Sequence, residues 1–202
     1  MGIETSHPLI EEILSVWKDR IGDDYLGYRG HVYRMFNFCL ALRPSTEEEK
    51  TKLAIAACFH DIGLWSDDTV DYIPPSVAQV KKYLSDARLE AWSEEVGLMV
   101  EMHHKVRAYR DERYPLVELF RKGDLVDFSL GVFTFGLPRS YVKRRQGNHT
   151  KQWISQISHA RRKRLVFQAS AKPAALYEVV AHTGGCRRVR AGVPASRKGR
   201  AG

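Results

Sequence analysis

Apolar residues recur along this chain at helical rather than strand spacing. Over residues 7–20, Leu9, Ile13 and Trp17 fall at i, i+4 and i+8, an amphipathic stripe. Asp23 or Asp24 is expected to cap a second helix running to about Arg43, where Arg43-Pro44 ends it. On that helix Tyr28, His31, Met35, Phe38 and Leu42 share one face, so His31 looks inward. Thr46-Glu47-Glu48-Glu49 reads as a capping box for a third helix. That helix takes in the apolar run 53–59 and carries His60-Asp61 near its end. Residues 63–75 read as a loop closed by Pro74-Pro75, after which Ser76 caps a short helix to about Leu84. The next helix, over residues 89–106, places Trp92, Val96, Met99 and His103 at i, i+4, i+7 and i+11. Pro115 suits the first turn of a helix that carries Asp124. After Gly131 the pattern weakens, Gly136 and Pro138 interrupt it, and a last helix is expected over 153–166. No alternating pattern of strand length competes and no repeat is present. The fold class is all-α, a bundle of six or seven helices.

The 202 residues, 44% of them hydrophobic, suffice for one core of ordinary size. Charge divides the chain in two. Residues 161–202 hold 11 Lys and Arg against one acid, Glu178, whereas residues 1–160 carry a net charge of −2. The net +8 of the whole therefore belongs to a basic tail and does not make the protein a nucleic-acid binder. The expected organisation is a helical metal-binding domain, 1–160, followed by an irregular tail rich in Ala, Gly and Arg, 161–202. Nucleic-acid contact by that tail is a secondary reading. An altered reading frame of a GC-rich gene would also give such a composition. No apolar run reaches the ~18 residues of a bilayer span, so no membrane partner is expected. Residues 1–6 formally fit a myristoylation pattern too short to carry weight. The N-terminus does not read as a secretion signal. Three scattered cysteines, with Cys39 and Cys58 inside apolar runs, suit a reducing compartment and a cytoplasmic location.

The chemistry concentrates in His60-Asp61. An imidazole and a carboxylate together on buried backbone are costly unless something binds them. A divalent metal neutralises the carboxylate and uses the imidazole lone pair. With His31 upstream and Asp124 downstream, the order His, His-Asp, Asp reads as a metal site assembled from three helices. The local wording is Gly30-His31-Val32, then Ala56-Ala57-Cys58-Phe59-His60-Asp61-Ile62-Gly63, then Lys122-Gly123-Asp124-Leu125-Val126-Asp127. Residues 25–135 thereby resemble the HD-domain superfamily of metal-dependent phosphohydrolases. The resemblance implies that His31, His60, Asp61 and Asp124 are the metal ligands.

Two imidazoles and two carboxylates suit Mn²⁺, Fe²⁺, Co²⁺ or Ni²⁺, with Zn²⁺ and Mg²⁺ as further candidates. Four ligands on a six-coordinate ion leave room for a water and a phosphate oxygen. Asp67 and Asp68, just after the His-Asp pair, are candidates to orient that water. Arg34, three residues after His31, and Arg121, three before Asp124, lie on their ligands' helix faces and are candidates for phosphate binding. Lys105 is a third such cation, and Asp127 is a candidate support for Asp124. Some HD-domain proteins use extra histidines for a second metal. Here His103-His104 is the sole further histidine pair before Asp124, and one of the two, His103 or His104, is expected to face substrate or donate a proton. The implied activity is hydrolysis of a small phosphorylated metabolite, a nucleotide among the candidates. An HD-type di-iron oxygenase and a non-catalytic metal-binding protein are the alternatives.

Overall fold

The computed structural model describes residues 3–67, 69 and 71–146. Among them are six helices of ten residues or more: α1 (Pro8–Ile21), α2 (Tyr25–Leu42), α3 (Glu47–Phe59), α5 (Ile73–Asp86), α6 (Ser93–Met102) and α7 (Pro115–Phe128). A single turn, α4 (Gly63–Ser66), follows α3. No strand occurs among the described residues, and the fold is all-α. Residues 139–146 are also helical. Asp68, the helix expected over 153–166 and the tail 161–202 lie outside the described residues.

The centre of the bundle is α2, which packs most extensively against α7 and also against α3. Residues 31–39 are all buried, not only the one face that periodicity marks. A helix covered on every side must pair its polar groups. Asn37 does so by donating to the carbonyls of Tyr33 (2.7 Å) and Glu4 (2.8 Å) while accepting from the Glu4 amide (3.0 Å). The expected cap of α2 is not made by a side chain: a 3₁₀ turn, Gly22–Asp24, runs into it instead. The capping box of α3 is complete. Thr46 Oγ1 accepts from the Glu49 amide, and Glu49 returns a bond to the Thr46 amide.

His60 and Asp61 sit just beyond α3, in the turn to α4, rather than inside the helix. The Leu64 amide closes that turn on the Asp61 carbonyl at 3.0 Å. Pro74 and Pro75 lie in the first turn of α5 and do not close a loop before it. The first helical turn tolerates proline because its amides have no partner within the helix. Ser76 is accordingly interior to α5. Its hydroxyl accepts from the Gly63 amide at 2.9 Å and ties α5 to the His-Asp turn.

Gly123 is where α7 meets α2. A methyl group there would collide with Cys39 Sγ and stand 3.1 Å from the Met35 carbonyl oxygen. The missing side chain lets the two helices approach closely enough to bring Asp124 and Asp127 against His31. Gly123→Ala is therefore expected to destabilise the protein by about 1–3 kcal/mol, the usual cost of overpacking. Thr46→Ala should cost about 1 kcal/mol by removing the cap. Chemical denaturation of both variants measures this, with metal affinity lowered only in Gly123→Ala.

Candidate metal centre

Three histidines converge with the same tautomer. His60 and His103 occupy equivalent places, the first residues after α3 and α6. Each turns Nδ1 back on its own helix, His60 to the Ala57 carbonyl at 2.8 Å and His103 to the Val100 carbonyl at 2.7 Å. A carbonyl only accepts, so Nδ1 carries the proton and Nε2 is left with a lone pair. His31 reaches the same state differently. Its Nδ1 donates to Asp127 Oδ2 at 2.7 Å.

The two Nε2 atoms meet. His31 Nε2 and His60 Nε2 are 2.9 Å apart. Two bare lone pairs at that distance repel unless a cation lies between them. A proton is disfavoured there, because burial pushes the His31 imidazole below its ordinary range. A metal ion fits. Adjacent donors about 2.1 Å from an octahedral ion are ~3.0 Å apart, and opposite donors are ~4.2 Å apart. Asp61 Oδ2 lies 3.2 Å from His60 Nε2 and 3.9 Å from His31 Nε2. Asp124 Oδ1 lies 3.5 Å from His31 Nε2. Ligand atoms of His31, His60 and Asp124 all fall within 4.8 Å of one another. His103 Nε2 stands 3.5 Å from Asp61 Oδ1, at the edge of the set.

The carboxylates report the same demand for positive charge. Burial raises both. Beside Asp61, His60 and His103 more than offset it and hold that carboxyl well below the usual range. Asp124 is pushed up to about 7 by burial, with Asp61 and Asp127 adding to the rise against His103. One carboxylate ionised and its neighbour holding a proton to near neutrality mark a cage short of cations.

Asp127 anchors the arrangement. It is almost fully buried and binds His31 on one side and Arg34 on the other. Arg34 Nε donates to Oδ1 at 2.8 Å, and Nη2 donates to Oδ2 at 3.0 Å. Burial raises the Asp127 carboxyl, but His31 and Arg34 outweigh it and keep the group ionised. Arg34, expected at a phosphate, is thus turned onto a structural partner.

Arg121 is likewise committed. Its Nε and Nη2 pair with Glu118 at 2.7 and 2.6 Å, and Nη1 donates to the carbonyls of Lys105 and Val106. It fastens the chain after α6 to α7. Lys105 and His104 are exposed, beside a cavity of about 520 Å³ that also involves Asp71, Ile73 and Val77. Asp67 is exposed and accepts from Ser66 Oγ at 2.6 Å. Tyr72, which residue spacing did not mark, belongs to the site. Burial, then Asp61 and Asp124, push its phenol well above the ordinary range, so it stays protonated. Its ring lies 6.2 Å from that of His103. Tyr28 backs the centre, its ring 5.9 Å from His60 and its hydroxyl on the Cys58 carbonyl at 2.9 Å.

The chain matches no family model, no curated protein and no solved structure.

Asp127→Asn should leave the helices intact but release the His31 tautomer, lowering metal affinity about 10–100-fold, as loss of a ligand's hydrogen-bond partner commonly does. Arg34→Ala should strand the Asp127 charge and lower stability by about 3–5 kcal/mol. Titration calorimetry and thermal melts separate the two effects. Unchanged metal affinity in Asp127→Asn would remove Asp127 from the site.

Proposed function

We propose that this chain is an HD-type phosphohydrolase that cleaves small phosphorylated metabolites with one divalent ion held by His31, His60, Asp61 and Asp124. The observation that carries the reading is the 2.9 Å approach of His31 Nε2 and His60 Nε2, each with its proton fixed on the other nitrogen. The mixed nitrogen and oxygen donors favour Mn²⁺, Fe²⁺, Co²⁺ or Ni²⁺. Such an ion supplies an activated water and neutralises charge on a phosphoryl group.

The chain's own groups then have separable tasks. Asp127 holds the His31 ring and its tautomer. Asp61 keeps a negative charge at the centre, and His103 directs Nε2 toward its second oxygen. Tyr72, protonated, offers a hydrogen-bond donor on the Asp61 side. Lys105 and His104 stand on the outward side of His103, where a phosphate would find a cation that the described residues leave without an ion pair. Arg34 and Arg121 do not serve there, because Asp127 and Glu118 occupy them. His31 Nε2 and His60 Nε2 converge on one point, with His103 at the edge of the set and His104 exposed, which favours one ion over two.

The full-length protein is expected to hold one transition-metal ion per chain and to release phosphate from members of a nucleotide and sugar-phosphate panel. Asp61→Ala should lose most of the metal and all hydrolysis above background. His103→Ala should retain the ion and lose ~10²–10⁴ in kcat if it positions or protonates substrate. Loss of the ion in that variant would make His103 a ligand. Two irons with oxygen consumption would replace the proposal with an oxygenase. Bound metal without turnover on any phosphorylated compound would leave a binding protein.

A further inference from the structure

The end of α7 carries a surface that the metal centre does not use. Nine large hydrophobic side chains are exposed among the described residues, and five belong to one eight-residue stretch: Phe128, Leu130, Val132, Phe133 and Phe135. Phe128 is 63% and Val132 is 68% exposed. We propose that this stretch and the basic helical residues 139–146 form a surface that docks on an anionic lipid bilayer.

The exposure is built rather than frayed. The backbone beneath the patch is hydrogen-bonded. The Gly131 amide donates to the Val126 carbonyl at 3.0 Å, Val132 to the Ser129 carbonyl at 3.1 Å, and Leu137 to the Thr134 carbonyl at 2.9 Å. The Phe133 amide donates to Ser129 Oγ at 3.1 Å. Leu137 and Val142 anchor the base in a small core with Phe38 and Val126. Apolar burial was therefore available next door, yet the five side chains point away. Two of them sit on strained backbone: Leu130 has φ 54° and Phe135 has φ 47°. Bulky residues rarely adopt that region, and persistent strain of this kind accompanies functional surfaces.

Charge selects the partner. From Phe128 to Gln146 the sequence contains no Asp or Glu, and it contains Arg139, Lys143, Arg144 and Arg145. Arg139, Lys143 and Arg144 are exposed. Lys122 Nζ lies 5.8 Å from the Phe135 ring while pairing with Glu118 Oε1 at 3.5 Å. Apolar side chains followed in the chain by cations and no acids suit the boundary of an anionic bilayer, where rings and aliphatic groups enter and the cations meet headgroups. Single-stranded nucleic acid also takes cations and aromatics, but it needs open ring faces. Phe133 and Phe135 stack on each other with centroids 6.2 Å apart, and Leu130 and Val132 have no ring, which leaves Phe128 as the remaining ring of the five. A symmetric dimer through this patch would set the same cations of two copies face to face. No described helix is long and apolar enough to cross a membrane, so the contact lies on the surface. Surface docking departs from the sequence-based expectation of no membrane partner, which rests on the lack of an apolar run of spanning length.

The test is cosedimentation of the full-length protein with phosphatidylcholine–phosphatidylglycerol vesicles, against pure phosphatidylcholine. Binding is expected only with the anionic vesicles. Val132→Glu with Leu130→Glu should weaken it about tenfold or more at an unchanged melting temperature, since both sites are exposed. The basic residues 161–202 can themselves attract anionic lipid, so penetration is read separately. Val132→Trp should gain blue-shifted emission that brominated lipid quenches, beyond the signal of the wild type. Vesicle binding without that quenching would overturn the proposal in favour of the tail. So would a dimer in solution that Val132→Glu disperses. Affinity for single-stranded DNA that Phe133→Ala abolishes, without vesicle binding, would also overturn it.

Discussion

Two nitrogen lone pairs held 2.9 Å apart are the constraint around which this fold is organised. Left without a cation they repel in a medium too dry to screen them. The repulsion could be relieved by rotating either imidazole, but neither ring is free to turn. His60 is pinned by its own helix end, His31 by Asp127, and Asp127 by Arg34. Each restraint is a buried hydrogen bond whose loss would leave a polar group without a partner. The protein thus stores an arrangement that is unfavourable by itself and favourable with a metal ion. A metal ion bound there would return its binding free energy as folding stability, because the unfolded chain has no such site.

The helices make this geometry by a simple division of labour. The ends of α3 and α6 present one histidine each, and each histidine satisfies a carbonyl that the helix end would leave open. α2 and α7 present their groups from helix interiors, where close packing fixes direction. Gly123 sets the distance between those two helices. Asp124 and Asp127 are three residues apart on α7 and so share a face, as do His31 and Arg34 on α2. The two faces meet as a block: His31 between Asp124 and Asp127, with Arg34 behind. Helix packing and metal geometry are therefore coupled, and a change at the α2–α7 contact reaches the donors directly.

Much of this was legible in the residues. The inward phase of His31, the capping box at Thr46 and the ordered His, His-Asp, Asp pattern depend on local spacing, and local spacing is what a sequence displays. Phase also placed His103 on the apolar stripe of its helix. The fate of the arginines was not legible. Helical spacing puts Arg34 on the His31 face whether it meets a phosphate or Asp127, which is 93 residues away. Arg121 likewise has a partner one turn back, and its remaining donors fill carbonyls of a loop that no periodicity describes. Tyr72 went unnoticed because a lone tyrosine before two prolines carries no chemical pattern. It matters only once α5 folds back onto the His-Asp turn through Ser76.

The placement of basic groups separates two kinds of electrostatics in one small domain. Inside, the described chain has more carboxylates than cations to match them: Asp61, Asp124 and Asp127 face three imidazoles and one guanidinium. Arg34 is the permanent cation of that set, paired with Asp127. A divalent ion held by His31, His60 and Asp124 would supply the positive charge that this set lacks. Outside, the stretch from Phe128 to Gln146 carries cations without acids, next to apolar side chains. Both regions are anchored on α7, the first at Asp124 and Asp127, the second just past its last turn. Asp127 also accepts the Leu130 amide through its carbonyl at 3.0 Å. One residue therefore holds His31 with its side chain and the base of the exposed loop with its backbone carbonyl.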